Sequence, residues 1–151
     1  MPTFASLLAA LSRDRVRMVV VGGFAVAYAG YERFTEDVDL LVDVEPDNLR
    51  RFLDVLTCVG DGAAAELTPD DLPLEEGAVR LDETLAVDLF TLMSGQTYTD
   101  LLPETDVHDV EGEPVRFLSA AGRIRLESAS LRPKDRLDAE ALRAILRGER
   151  F

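Results

Sequence analysis

Apolar residues recur along the chain with two different spacings, one typical of helices and one typical of strands. The first stretch, FASLLAALSR, repeats an apolar position every three to four residues and predicts a helix that ends near Arg13. The β-branched runs RMVVV at 17–21 and VDLLVDV at 38–44 predict two strands. Between them FAVAYAG favours a short helix, so the N-terminal third alternates helix and strand.

The middle of the chain predicts one more helix, a loop and two hairpins. Pro46 opens a helix through about Thr57, because proline is tolerated in the first turn. Residues 60–77 are rich in Gly, Pro and acids and predict a surface loop with one helical turn. The runs AVRLD and LAVDLF form the first predicted hairpin, and DVHDV and EPVRF form the second.

The C-terminal portion, residues 117–151, predicts two helices. Ser119 is placed to cap a helix across 120–129, and Pro133 to begin a last helix that Gly148 ends. Helices and strands in this order predict the α/β (α+β) class, with a mixed sheet flanked by helices and followed by C-terminal helices. At 151 residues the length fits one domain, 1–151.

Composition and charge narrow the class of protein. A hydrophobic fraction of 47% and a charged fraction of 30% are typical of soluble globular proteins, and the apolar runs are too short to cross a membrane. Residues 1–115 carry 7 Lys and Arg against 24 Asp and Glu, whereas residues 116–151 carry 9 against 5. The acidic residues 1–115 disfavour binding of nucleic acid. The C-terminal residues 116–151 offer either a local basic surface or a solvated helix face.

The chain has one cysteine and one histidine, which excludes an internal disulfide and a zinc site. Lack of disulfides fits a reducing cytoplasm, which is the expected location. Cys58, in FLDVLTCVG, is expected to be a small core residue rather than a reactive one.

Three aspartates lie in apolar settings where an unpaired carboxylate would be costly. Asp37 and Asp39 begin the second predicted strand at i and i+2, so their side chains point to one face. Asp88 lies within LAVDLF. If the two strands are neighbours, the three carboxylates converge, and their oxygens suit Mg²⁺. The alternative for Asp37 and Asp39 is a strand-edge pair that faces water.

The residues around these aspartates are compatible with phosphate binding. Gly22-Gly23, between a strand and a helix, lets backbone N–H groups approach a triphosphate. Arg33, four residues before Asp37, is placed to reach the phosphates from another side. Each feature is weak alone, whereas their order along the chain is much more specific.

The segment VGGFAVAYAGYERFTEDVDLLVD resembles the signature of the nucleotidyltransferase (polymerase β-like) superfamily. Within it, the likeness is to minimal bacterial proteins grouped with the AbiEii-type nucleotidyltransferase toxins. Their pattern is a hydrophobic strand, Gly-Gly, a helix and then Arg-x-Thr-x-Asp-x-Asp. The positions that match it in order are Gly22, Gly23, Gly30, Arg33, Thr35, Asp37 and Asp39. The likeness continues through VDLFTLMSGQTYTDLL and through the Arg-Pro-Lys-Asp run at 132–135.

The resemblance implies a nucleotidyltransferase fold and a role for each matching residue. Asp37, Asp39 and Asp88 would be catalytic residues and ligands of a two-metal Mg²⁺ site, with Asp88 activating the acceptor hydroxyl. The nucleotide phosphates, from an NTP such as ATP, would be bound by Gly22, Gly23, Arg33, Thr35 and Lys134. For Lys134 the alternative is a surface ion pair with the next residue, Asp135.

The resemblance also implies a reaction and partners. The enzyme would transfer an NMP from an NTP to an acceptor hydroxyl on a tRNA end or a protein. It would act in a toxin–antitoxin or phage-defence system, with an antitoxin or another partner chain and no membrane. Two alternatives remain: a nucleotidyltransferase that modifies a small molecule such as an antibiotic, and a non-catalytic module that binds a nucleotide or a partner.

Overall fold

The computed structural model describes residues 4–21, 38–60, 62–72, 74–82 and 86–128, which form a six-stranded mixed sheet with helices packed on it. The strands are β1 (Met18–Val21), β2 (Val38–Val42), β3 (Val79–Asp82), β4 (Val87–Phe90), β5 (Thr105–Val110) and β6 (Glu113–Leu118). The helices are α1 (Phe4–Arg13), α2 (Pro46–Val59), α3 (Tyr98–Leu101) and α4 (Ala120–Ser128).

The strand order across the sheet is β3-β4-β2-β1-β6-β5. At the centre β1 and β2 are antiparallel, and each also pairs in parallel with a neighbour, β6 and β4 respectively. The two predicted hairpins form the flanks, β3 with β4 and β5 with β6. This arrangement confirms the predicted α/β (α+β) class with a mixed sheet. All four residues of β1 are apolar and buried, because both faces of the sheet are covered there.

The core forms where the helical stripes meet these strands. In α1 the buried stripe is Leu7, Leu8 and Leu11, and in α2 it is Leu49, Phe52, Leu53 and Leu56. Both stripes follow the helical period that was evident in the sequence. Together with the apolar residues of β1 and β2 they belong to one hydrophobic cluster.

Local signals fix two of the connections. Glu111 and Gly112, between β5 and β6, have φ angles of 52° and 85°, the left-handed pair that closes a two-residue hairpin without splaying its strands. Ser119 caps α4 as predicted, because its Oγ accepts the backbone N–H of Gly122 at 3.0 Å.

Other expectations are wrong or incomplete. Cys58 is exposed, not in the core. The predicted loop 60–77 contains two 3₁₀ turns, Ala63–Glu66 and Pro69–Asp71, and α3 was not predicted. The helices expected after Gly23 and from Pro133 lie outside the described residues. Within the described ranges, no helix has the length and apolarity needed to cross a membrane.

Candidate metal and nucleotide site

Two of the three predicted carboxylates are brought together by the pairing of β2 with β4. These strands run in parallel with Asp39 directly opposite Asp88. Residues that face each other across paired strands project to the same side of the sheet, and neighbouring strands lie about 4.8 Å apart. The condition for convergence, that the strand of Asp88 lies beside the strand of Asp39, is therefore met for these two residues. Two carboxylates at this separation repel each other unless positive charge lies close by.

The register that aligns the carboxylates is set by their apolar neighbours. Val38 pairs with Val87 and Leu40 with Leu89, and all four residues are buried. Because side chains alternate between the two faces, these apolar residues lie on the face opposite to the aspartates. A slip of one residue would send an aspartate into the apolar face and a leucine out of it. The core thus holds the two carboxylates side by side.

An arginine that the sequence did not single out completes the arrangement. In the antiparallel pairing of β3 with β4, Arg80 lies opposite Asp88. Arg80 Nε donates to Asp88 Oδ1, and Arg80 Nη2 donates to Asp88 Oδ2 at 3.1 Å. Such a two-point contact is the strongest geometry for this pair of side chains. We call Arg80, Asp88 and Asp39, one from each of three adjacent strands, the charged row.

Burial makes the charged row unusual. The Asp88 side chain is 12% exposed and the Arg80 side chain 37% exposed. A carboxylate this deep needs its charge balanced, and Arg80 supplies one positive charge for the two aspartates of the row. In the charged row Asp88 therefore has the two-point ion pair with Arg80 on one side and the carboxylate of Asp39 on the other.

The remaining predicted site residues lie outside the described ranges. These are Gly22, Gly23, Arg33, Thr35, Asp37 and Lys134. Their described neighbours flank the charged row: Val21 pairs with Asp39, and the Val38 N–H donates to the Ala86 carbonyl at 3.0 Å. Val21 and Val38, the described residues on either side of the segment 22–37, thus lie next to the charged row.

The donor set of the row suits a hard cation. Carboxylate oxygens are the ligands that Mg²⁺ takes most readily in proteins, usually one or two at a time together with substrate phosphates. Among the described residues no cluster of three or more His, Cys, Asp or Glu side chains is placed to hold a metal. Asp39 and Asp88 are adjacent carboxylates whose oxygens suit one, and Arg80 would have to yield at least one oxygen of Asp88 to it.

The chain matches no protein-family model and none of the curated proteins with which it was compared. The fold and the charged row therefore carry the functional argument.

Proposed function

We propose that the chain is a Mg²⁺-dependent nucleotidyltransferase that moves a nucleoside monophosphate from an NTP to an acceptor hydroxyl. The observation that carries the proposal is the direct pairing of Asp39 with Asp88 on adjacent strands, at the row where residues 22–37 leave and rejoin the sheet. That segment holds the Gly-Gly and Arg-x-Thr-x-Asp-x-Asp residues of the resemblance.

The reaction assigns a task to each carboxylate. The acceptor oxygen attacks the α-phosphorus, the bond from that phosphorus to the bridging oxygen breaks, and pyrophosphate leaves with the bonding electrons. Asp88 takes the hydroxyl proton, and Asp39 holds the nucleotide end of the site together with Asp37. Mg²⁺, bound by these carboxylates, would neutralise the triphosphate and the charge that develops on the leaving group.

Arg80 fits this scheme as a positioning residue. In the absence of another cation, its two hydrogen bonds hold the Asp88 side chain on the face that Asp39 shares. Arg80 is more exposed than Asp88, so its guanidinium has room to move toward solvent when a divalent cation takes an Asp88 oxygen.

A second candidate is a non-catalytic module that binds a nucleotide or a partner. The same ion pair favours it, because Arg80 already bonds both oxygens of Asp88 and so satisfies that carboxylate without metal. In this case Arg80 and Asp88 form a permanent structural pair.

Transfer of label from α-³²P NTPs, with Mg²⁺ and a mixture of cellular RNA and protein, separates the two candidates. We expect Asp39→Asn to lower transfer at least about 100-fold, because a lost ligand removes several kcal/mol of charge stabilisation. The matched control is Asp43→Asn, a carboxylate just beyond β2 that pairs with Arg17, and it should transfer at the wild-type rate. Pyrophosphate release in the same reactions detects a small-molecule acceptor.

A readout that does not depend on finding the acceptor is the melting temperature with and without Mg²⁺. Binding of Mg²⁺ to the folded state alone raises it, and Asp39→Asn should abolish that rise. Full activity in Asp39→Asn would contradict the site. Absence of label, of pyrophosphate and of a Mg²⁺ effect in wild type would favour the non-catalytic module.

A further inference from the structure

A cleft of about 220 Å³ lies where the end of α1, the start of β1 and strand β6 meet. Three arginines line it, Arg15, Arg17 and Arg116, together with Tyr98. We call this set the arginine cleft. Met18 at the first residue of β1 also lines it, whereas Val21 at the last residue of β1 pairs with Asp39. The arginine cleft is therefore at the opposite end of the central strand from the charged row.

The cleft concentrates positive charge in a chain whose net charge is −13. Arg17 is neutralised, with its Nε 2.6 Å from Asp43 Oδ2 and its Nη2 2.8 Å from Glu45 Oε2. Arg116 donates to a neutral acceptor, Thr105 Oγ1, at 3.1 Å. Within the described residues the Arg15 side chain makes no hydrogen bond or ion pair. Two guanidinium charges in the cleft thus have no carboxylate partner in the described part of the chain.

The backbone at Arg15 adds an independent observation. The Arg15 N–H bonds the Ser12 carbonyl and the Val16 N–H bonds the Leu11 carbonyl, which is the pattern that closes a helix through a left-handed residue. Arg15 is that residue, with φ 60°. Glycine is the usual occupant, because a side chain is strained there. Strained positions cluster at binding sites, and this one lines the cleft.

Tyr98 contributes a neutral hydrogen-bond donor, its hydroxyl, to the arginine cleft. Burial raises the pKa of Tyr98, and the Arg116 guanidinium opposes that rise, so the phenol is buried near Arg116 and protonated at neutral pH. None of the described residues forms a hydrogen bond with its hydroxyl. The hydroxyl is thus available to a ligand in the cleft.

We infer that the arginine cleft binds a phosphate group, through the guanidinium groups of Arg15 and Arg116 and the hydroxyl of Tyr98. Guanidinium groups suit phosphate because their N–H donors match two of its oxygens at once. The cleft is smaller than the pockets of about 300–1,000 Å³ that enclose whole drug-sized ligands, so it fits the phosphate group rather than an entire nucleotide. This site does not depend on the proposed transfer reaction.

The test is a titration of ¹⁵N-labelled protein with inorganic phosphate at constant ionic strength, followed by amide chemical shifts. We expect saturable shifts at the amides of Arg15, Val16 and Arg17. Arg15→Ala and Arg116→Ala should each weaken binding about tenfold, the loss expected for one charged hydrogen bond. The matched control is Arg13→Ala, which removes the same charge from the same helix end but from a residue that pairs with Glu113. It should change the dissociation constant less than twofold.

Arg15→Gly separates binding from folding. Glycine is relaxed at positive φ, so this variant should melt at or above the wild-type temperature while it binds phosphate about tenfold more weakly. A companion titration with AMP distinguishes the sources of the phosphate group. Much tighter binding of AMP indicates a nucleotide that extends out of the cleft, and equal binding indicates that phosphate alone is recognised.

Three results would overturn the inference. The first is a shift that does not saturate, the second is equal movement of the same amides by acetate at the same ionic strength, and the third is a loss of binding in Arg13→Ala as large as that in Arg15→Ala. Each would mean that only general electrostatic attraction acts at this surface.

Discussion

Two arginine–carboxylate clusters lie at opposite ends of the central strands and differ in what surrounds them. At one end Arg17 bonds Asp43 at 2.6 Å and Glu45 at 2.8 Å. At the other end Arg80 bonds both oxygens of Asp88. Each cluster joins an arginine to a neighbouring carboxylate, so the pairing alone does not distinguish a structural cluster from a functional one.

At the Arg17 end, hydrogen bonds with Asn48 satisfy backbone groups of the cluster. Asn48 is fully buried at the start of α2, and its Oδ1 accepts the Arg17 N–H at 2.7 Å. Its Nδ2 donates to the carbonyls of Arg17 and Asp43 at 3.0 and 2.8 Å. The acids here follow β2 and lie partly in water, with Glu45 60% exposed. Asn48 and the ion pairs of Arg17 thus fasten α2 to β1 without a ligand. The phosphate proposed for the adjacent arginine cleft is bound by other residues, Arg15, Arg116 and Tyr98.

The Arg80 end is built inside the sheet. Its three charged residues come from strands that lie side by side, and Asp88 is nearly buried. Acids that face water at a strand end are stabilised by solvent, whereas acids within strands depend on their neighbours for positive charge. Position within the sheet, rather than the ion pair itself, therefore marks the candidate metal site.

The largest effect on stability is expected at the Arg17 end, from Asn48→Leu. The leucine fills a similar volume but leaves the Arg17 N–H without its acceptor and the Asp43 carbonyl without its side-chain donor. Two partly buried polar groups left unpaired should lower the free energy of unfolding by about 3 kcal/mol, measured by urea denaturation. Mg²⁺ should add no more to the free energy of unfolding of this variant than to that of the wild type. An unchanged urea midpoint would show that this end does not fasten α2.

The next effect is expected at the Arg80 end, from Arg80→Ala. Removal of the guanidinium leaves the nearly buried Asp88 carboxylate without its partner. The free energy of unfolding should therefore fall by about 2 kcal/mol. If the row binds Mg²⁺, the metal replaces the lost charge. Mg²⁺ at ten times its dissociation constant should then raise the free energy of unfolding by about 1.4 kcal/mol, seen as a rise in the urea midpoint.

Arg17→Ala is the matched variant for this measurement. It removes ion pairs that are more exposed, so the expected loss is about 1 kcal/mol. Because its charged row is intact, Mg²⁺ should stabilise this variant only as much as it stabilises the wild type. If Mg²⁺ fails to stabilise Arg80→Ala, or stabilises both variants equally, the metal interpretation of the charged row is wrong. The permanent ion pair of the non-catalytic module would then explain Arg80.

Much of the fold was predictable because hydrophobic period and turn chemistry agree along the chain. The strands at 18–21 and 38–42, both helical stripes and both hairpins follow from these local signals. Cys58 was predicted wrongly from residue type alone. The period of α2 places it opposite Leu49, Phe52 and Leu56, so the same pattern that located the helix also exposes the thiol.

The charged row was only partly predictable, because it depends on register. The sequence made the convergence of Asp39 and Asp88 conditional on their strands being neighbours, and the pairing of β2 with β4 meets that condition. Arg80 did not follow, since a two-residue turn at Glu83-Thr84 would place it opposite Val87. Asp82 pairs with Val87 instead of Leu85, and a register shift between Asp82 and Arg80 then sets Arg80 opposite Asp88. Such an irregularity has no signal in residue type or period.

The smallest effect is expected near the Arg17 end, from the titration of Tyr98. Burial raises the pKa of Tyr98 above the value of about 10 that an unfolded chain shows, and nearby Arg116 only partly offsets this. The neutral phenol therefore contributes stability that is fully present below about pH 10 and is lost as pH rises through the folded pKa. Tyr98→Phe keeps the ring and removes the proton. The wild-type urea midpoint should fall more steeply than that of Tyr98→Phe between about pH 9 and about pH 11, and identical slopes would show that the phenol is not shielded from water by the fold.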